Sequence, residues 1–149
     1  MEILKALPSD AKHIQKVHRE AVYNLPAKLF NESLKEIWTG GDAEGWVRLI
    51  ETCKASYIVK YKGSIVAFAT VTQSNYLKHL YVTPNLQRKG FGKKLLNKIY
   101  VDFLGEKLTL DANKHAYPFY YQQGFTPLKE HSIKMGTESV IVTQMEKQL

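Results

Sequence analysis

Apolar positions along the chain change spacing several times, and each change marks a predicted element. "EILKAL" (2–7) alternates weakly and reads as a strand. Ser9 or Asp10 can cap a helix over about 10–23, where Ile14, Val17, Ala21 and Val22 fall near helical spacing. "AKLFNESLKEIW" (27–38) reads as a second helix before Gly40-Gly41, and Asp42 can cap a third with Trp46, Leu49, Ile50 and Cys53 on its apolar side. "SYIVKY", a turn at Lys62-Gly63 and "SIVAFATVT" form a hairpin pattern, and "YLKHLYV" (76–82) is a further strand stopped by Pro84. A helix over about 90–104 carries Leu95, Leu96, Ile99 and Phe103 on one face. "KLTLDA", a helix over about 115–123 ended by Gly124, and the strands "FTPLKEHSI" and "ESVIVTQME" close the chain.

This order predicts an α/β (α+β) fold: a mixed six- to seven-stranded sheet flanked by about four helices. The βαβ step from 76–82 to 107–112 makes those strands parallel neighbours. With no linker, repeat or low-complexity tract, residues 1–149 read as one domain. The apolar pattern of "SVIVTQM" makes the C-terminal strand an edge candidate for homodimerisation.

Composition alters this picture at few points. No apolar run approaches the ~18–20 residues that span a bilayer, and "MEILKALPSD" lacks the form of a signal peptide. A lone Cys53 leaves no internal disulfide and fits a reducing compartment, so the expected location is cytoplasmic, with no membrane partner. Charge is more informative. The net charge is +7, yet no Asp or Glu occurs between Glu51 and Asp102, an interval with nine Lys and Arg residues. Such a stretch is a solvated basic face or a site for an anion, either nucleic acid or a phosphorylated ligand.

Within that interval lies "QRKGFG" (87–92), directly before a helix. Gly90 and Gly92 let backbone approach a ligand, the helix start offers unpaired N–H groups, and Arg88, Lys89 and Lys93 add charge. The Gly-Lys-Ser/Thr ending of a Walker loop is absent, and the position in mid-chain does not suit a dinucleotide fingerprint. Twenty-one residues after Gly92 begins "NKHAYPFYYQQGF" (113–125). "QRKGFG", with "LYVTP" upstream, resembles the Gln/Arg-x-x-Gly-x-Gly/Ala motif of the GNAT superfamily of N-acetyltransferases. Asn113, Ala116, Phe119, Tyr120, Gly124 and Phe125 match that family's second motif.

The resemblance implies that acetyl-CoA is the co-substrate and that an amine, not identified by the sequence, is the acceptor. It implies a pyrophosphate on the amides of Arg88, Lys89, Gly90, Phe91, Gly92 and Lys93. It also implies a pantetheine arm added as a strand along Leu80 and Val82, where central strands splay apart. Val82 N–H is then the oxyanion donor, Tyr120 the general acid toward the leaving thiolate, and Asn113 and Phe119 contacts of the cofactor. Many relatives carry a carboxylate base on the strand before the Gly-rich turn, and residues 76–82 hold none. His79 is the candidate base there, beside a water chain or an amine that arrives neutral. Trp38 and Trp46 fall where relatives wall the acceptor site, or pack in the core. His13, His18, His115 and His131 lack metal-ligand spacing, so no metal is assigned. A non-catalytic acyl-CoA-binding or nucleic-acid-binding module on the same fold is the alternative. RNA-binding aromatic patterns are absent, which argues against nucleic acid.

Overall fold

The computed structural model describes residues 1–149. Seven strands and five helices follow one another: β1 (Glu2–Lys5), α1 (Ala11–Tyr23), α2 (Glu32–Trp38), α3 (Ala43–Thr52), β2 (Ala55–Tyr61), β3 (Ser64–Val71), β4 (Leu77–Val82), α4 (Phe91–Asp102), β5 (Lys107–Asn113), α5 (Tyr117–Gln122), β6 (Thr126–Met135) and β7 (Glu138–Gln148). The second helix starts later than its apolar spacing predicts. Residues 26–30 form a turn behind Pro26, and the Asn31 side chain accepts from Leu34 N–H at 2.8 Å to begin the helix. Asp42 caps α3 in the same way, through Gly45 N–H at 2.9 Å. Lys62 and Gly63 both take positive φ (52° and 80°), the geometry of the tight β2–β3 hairpin. No helix is long and apolar enough to cross a membrane.

The strands do not form one continuous sheet. β1-β2-β3-β4 form an antiparallel four-stranded sheet, and β5-β7-β6 a three-stranded one. The parallel neighbours β4 and β5 meet only at a bridge between Tyr76 and Thr109, reinforced by Thr109 N–H donating to Asn75 O at 3.0 Å. Beyond that point their facing edges diverge. β7 lies between β5 and β6, so the C-terminal strand is internal and not the edge its apolar pattern suggested; β6 is the edge of that sheet.

Two apolar layers hold the first sheet. On one face α4 packs Leu95, Leu96 and Ile99, all fully buried, against Val59, Ala67, Ala69 and Val71. The same layer continues into the second sheet through Leu108, Leu110, Ala112 and Met145. Each fully buried side chain of this size contributes about 1.5–3 kcal/mol, so α4 is the main tie between the sheets. On the other face α1 and α3 set Ile14, Val17 and Ile50 against Ile58 and Phe68. β3 is thus covered on both sides, which is why "VAFATV" reads as an unbroken run.

Candidate active site

The site is built around the gap between β4 and β5. Thr83 N–H donates to Val66 O at 2.8 Å, so alternation along β4 turns the backbone N–H and C=O of Leu80 and Val82 away from β3, toward the free edge. The first residue of the Gly-rich turn folds back here, as Gln87 Nε2 donates to Val82 O at 2.9 Å. That contact occupies the Val82 carbonyl and leaves its N–H facing the gap.

The chain then turns through Arg88 (φ 62°) and Gly90 (φ 90°) into α4. Gly90 is the N-cap, and no side chain caps the helix. The first-turn N–H groups are therefore available, at the positive end of the helix dipole. Arg88, Lys89 and Lys93 surround them with exposed positive charge. Phe91 differs from its neighbours: its ring is buried edge-on against Tyr61, centroids 5.4 Å apart, so only its amide is free for a ligand. The two glycines also differ. A side chain at Gly90 meets nothing within 4 Å but needs a left-handed backbone, whereas a Cβ at Gly92 has ordinary φ and touches the Phe119 ring at 3.5 Å. Gly92 serves helix-to-helix packing as well as backbone access.

On the far side of the gap stand α5 and the end of β5. Pro118 falls in the first turn of α5, where a missing N–H is harmless. Tyr120 points inward, edge-on to Phe119 and Phe125, while Tyr121 is exposed and stacks on Tyr117. Burial first, then the nearby phenols of Tyr81, Tyr100 and Tyr76, push the Tyr120 pKa well above the ordinary tyrosine value. Its proton is retained at neutral pH. Asn113 Oδ1 accepts from Ala116 N–H at 2.8 Å, so its oxygen shapes the strand-to-helix turn and only its amide N–H groups remain for a ligand.

His79 lies on the opposite face of β4 from Leu80 and Val82, as alternation predicts. A register shift between Thr70 and Val71 places a bulge at Lys78, just before it. Its Nδ1 is 2.8 Å from Thr70 Oγ1, and its ring is 4.9 Å from Trp46. Burial, then the charges of His18 and Lys78, hold its pKa well below the ordinary histidine value. The imidazole is therefore held neutral, and it is a weaker proton acceptor than an ordinary histidine. His79, His18, Trp38, Trp46, Lys78 and Asp42 line a cavity of about 230 Å³ between α1, α2, α3 and β4. His18 is the deepest of these: burial, helped by Arg19, lowers its pKa to about 4, and its Nε2 is buried without a hydrogen-bond partner among four aromatic neighbours.

Three further residues at the gap escaped the sequence reading. Tyr76 donates to Asp111 Oδ2 at 2.8 Å, and His131 Nε2 lies 2.7 Å from Asp111 Oδ1. They come from the residue just before β4, from β5 and from β6, and no local spacing connects them. The available signal was alternation in "KLTLDAN", which puts Asp111 on the face opposite Leu108, Leu110 and Ala112.

Residues 32–149 match the acetyltransferase (GNAT) domain family. No match is found among curated proteins. Among solved structures, the chain is similar to a GCN5-related N-acetyltransferase from Rhodopseudomonas palustris, at 22% identity and a TM-score of 0.89 over 99% of this chain and 95% of that one. It is also similar to the PaiA N-acetyltransferase of Thermoplasma acidophilum, solved in complex with coenzyme A (22% identity, TM-score 0.79, 99% and 98% covered). A third is the ribosomal-protein-alanine N-acetyltransferase of Brucella melitensis (19% identity, TM-score 0.76, all of both chains covered).

Proposed function

The chain belongs to the acetyltransferase (GNAT) family, and on that footing we propose that it moves an acetyl group from acetyl-CoA to a primary amine by direct attack in a ternary complex. The observation that carries this reading is the free edge of β4, with Leu80 and Val82 turned to the gap, leading straight into an uncapped, basic helix start. An extended ligand arm adds to such an edge as a strand. A pyrophosphate suits the amides from Arg88 to Lys93.

Each residue then has a defined task. Leu80 orients the arm through its backbone hydrogen bonds. Val82 N–H meets the negative charge that develops on the thioester oxygen, a kind of contact worth about 2.7–4 kcal/mol in acyl-transfer sites. Tyr120, kept protonated by its surroundings, donates to the sulfur as the carbon–sulfur bond breaks. Asn113 uses its remaining amide hydrogens, and Phe119 packs beneath the first turn of α4. The cavity walled by Trp38, Trp46, His18 and His79 receives the acceptor.

Calorimetric titration with acetyl-CoA, followed by thiol release with four amines, tests the reading. The amines are spermidine, phenethylamine, an alanyl N-terminal peptide and a lysine peptide blocked at its N-terminus. The expected result is binding by wild type and by Tyr120→Phe, turnover of at least one amine by wild type, and a kcat about 10²- to 10⁴-fold lower in Tyr120→Phe. No acetyl-CoA binding overturns the proposal. Binding without thiol release for any amine favours a non-catalytic acyl-CoA-binding module.

A further inference from the structure

The cavity between α1, α2, α3 and β4 is ringed by more positive than negative charge. Its one lining carboxylate, Asp42, already accepts from Gly45 N–H at 2.9 Å as the cap of α3. Three cations stand around it. Lys78 is part of the lining, Arg19 donates to the carbonyl of the lining residue Thr39 at 3.5 Å, and Arg48 Nη2 is 3.8 Å from the position of a Cβ on the lining residue Gly45. His18 and His79, both held neutral by burial, add no charge. A cleft with an excess of one sign concentrates ligands of the other. His79 adds direction to this field. Thr70 is 1% exposed, and its hydroxyl has one partner, His79 Nδ1 at 2.8 Å. A buried hydroxyl proton needs an acceptor, so Thr70 donates to Nδ1. The neutral imidazole then carries its own proton on Nε2 and presents an N–H donor to the cavity it lines. Trp38, Trp46 and Leu49 form the apolar part of the wall. A cavity of about 150 Å³ holds benzene, so one of about 230 Å³ takes a single apolar group with a short polar head. His79 directly precedes Leu80, whose backbone faces the gap, so the cavity borders the gap along β4.

Resting on the acetyl-transfer reading, we propose that the acceptor is a small amino acid with an apolar side chain, its carboxylate held by His79 Nε2–H and the Lys78 ammonium. The side chain lies against the two indoles, and the amine is left to face the gap. Thr70 touches no substrate; it is a positioning residue that fixes the His79 tautomer. Other amines suit the cavity less well. A polyamine brings a second positive charge beside Lys78, Arg19 and Arg48, and finds one exposed carboxylate already engaged as a helix cap. A plain alkylamine leaves Lys78 and the His79 donor without a partner. A peptide N-terminus carries a neutral amide where the site offers charge to a carboxylate.

The test compares kcat/KM within two matched pairs at saturating acetyl-CoA: phenylalanine against phenethylamine, and leucine against isopentylamine. Each pair keeps the amine and the apolar body and differs by the carboxylate. The expected result is a preference for the amino acid of about 10- to 150-fold in at least one pair, the size of one charge-assisted hydrogen bond. Lys78→Met, at an exposed position, should cut that preference about tenfold or more. His79→Phe keeps a ring but removes the donor, and should cut it likewise; should it not fold, Lys78→Met decides alone. The ratio within a pair divides out any general loss of activity in a variant. A wild-type ratio near one in both pairs, an unchanged ratio in either variant, or faster turnover of spermidine or of either peptide than of both amino acids overturns the proposal and leaves the acetyl-transfer reading standing. No acetyl-CoA binding, or no thiol release with any of these amines and amino acids, overturns the acetyl-transfer reading, and the proposal with it.

Discussion

Replacing Gly90 and Gly92 one at a time with alanine separates two roles that the Gly-rich turn combines. At Gly90 the added methyl group has open space, so the whole cost is conformational: φ is 90°, and an L-residue held in left-handed backbone costs about 1–2 kcal/mol. In a domain of this size about 1 kcal/mol shifts Tm by roughly 2–4 °C, so Gly90→Ala should lower Tm by about 2–8 °C. If the loop relaxes instead and turns one amide away from the pyrophosphate, the loss of a charge-assisted hydrogen bond, about 1.5–3 kcal/mol, weakens acetyl-CoA roughly 10- to 150-fold. At Gly92 the backbone is helical and the new Cβ makes ordinary contact with Phe119 at 3.5 Å. Helix propensity favours alanine over glycine by up to about 1 kcal/mol, so Gly92→Ala should keep or raise Tm. Differential scanning calorimetry with and without acetyl-CoA, together with isothermal titration, reads both effects. Equal destabilisation by the two substitutions, or a Gly90→Ala protein with wild-type Tm and affinity, refutes the reasoning.

Two further outcomes concern the α1–α2 side. His18 has a folded-state pKa of about 4 against 6.5 in the unfolded chain, so the unfolded state binds the extra proton between these values. Its contribution is complete above about pH 6.5 and is lost as pH falls toward 4, by about 3 kcal/mol. Urea unfolding at pH 7 and pH 4 should show a smaller acid loss in His18→Phe than in wild type; identical losses refute the assignment. Lys35 is buried at 6% exposure and donates to Tyr23 O (3.2 Å) and Leu25 O (2.7 Å), satisfying carbonyls at the end of α1 and just beyond it. Lys35→Met keeps the stem but removes both bonds, and should lower unfolding free energy by about 2–3 kcal/mol, measured by urea denaturation.

Elements governed by local physics were legible in the sequence. Asp42 before an apolar helix, Lys62-Gly63 between alternating runs, and Gly90 before Leu95, Leu96 and Ile99 each carry their structure within a few residues, and each appears as read. Leu80 and Val82 were singled out by the family resemblance and not by any local pattern; the structure turns their backbone groups to the free edge of β4. Features set by strand order were not legible. The run "SVIVTQM" looks the same in an edge strand as in an internal one, and only pairing with both β5 and β6 makes β7 internal. The Tyr76–Asp111–His131 chain joins residues 35 and 20 positions apart through three strands, and depends on register that no single segment encodes. His79 was legible in position but not in character, because its depressed basicity comes from packing beside His18 and Trp46 on helices far off in sequence.

The single bridge between Tyr76 and Thr109 makes the two sheets a wedge pinned at one corner. Strain applied across the wedge is resisted near Tyr76 by hydrogen bonds, but near Val82 and Ala112 only by the apolar grip of α4. A ligand arm laid between the open edges is therefore a splint: it carries load from one sheet to the other at the end where the protein itself provides no crosspiece. Amides facing the gap should then exchange slowly with solvent only while the splint is in place, and the two sheets should come apart in a single step when it is bound.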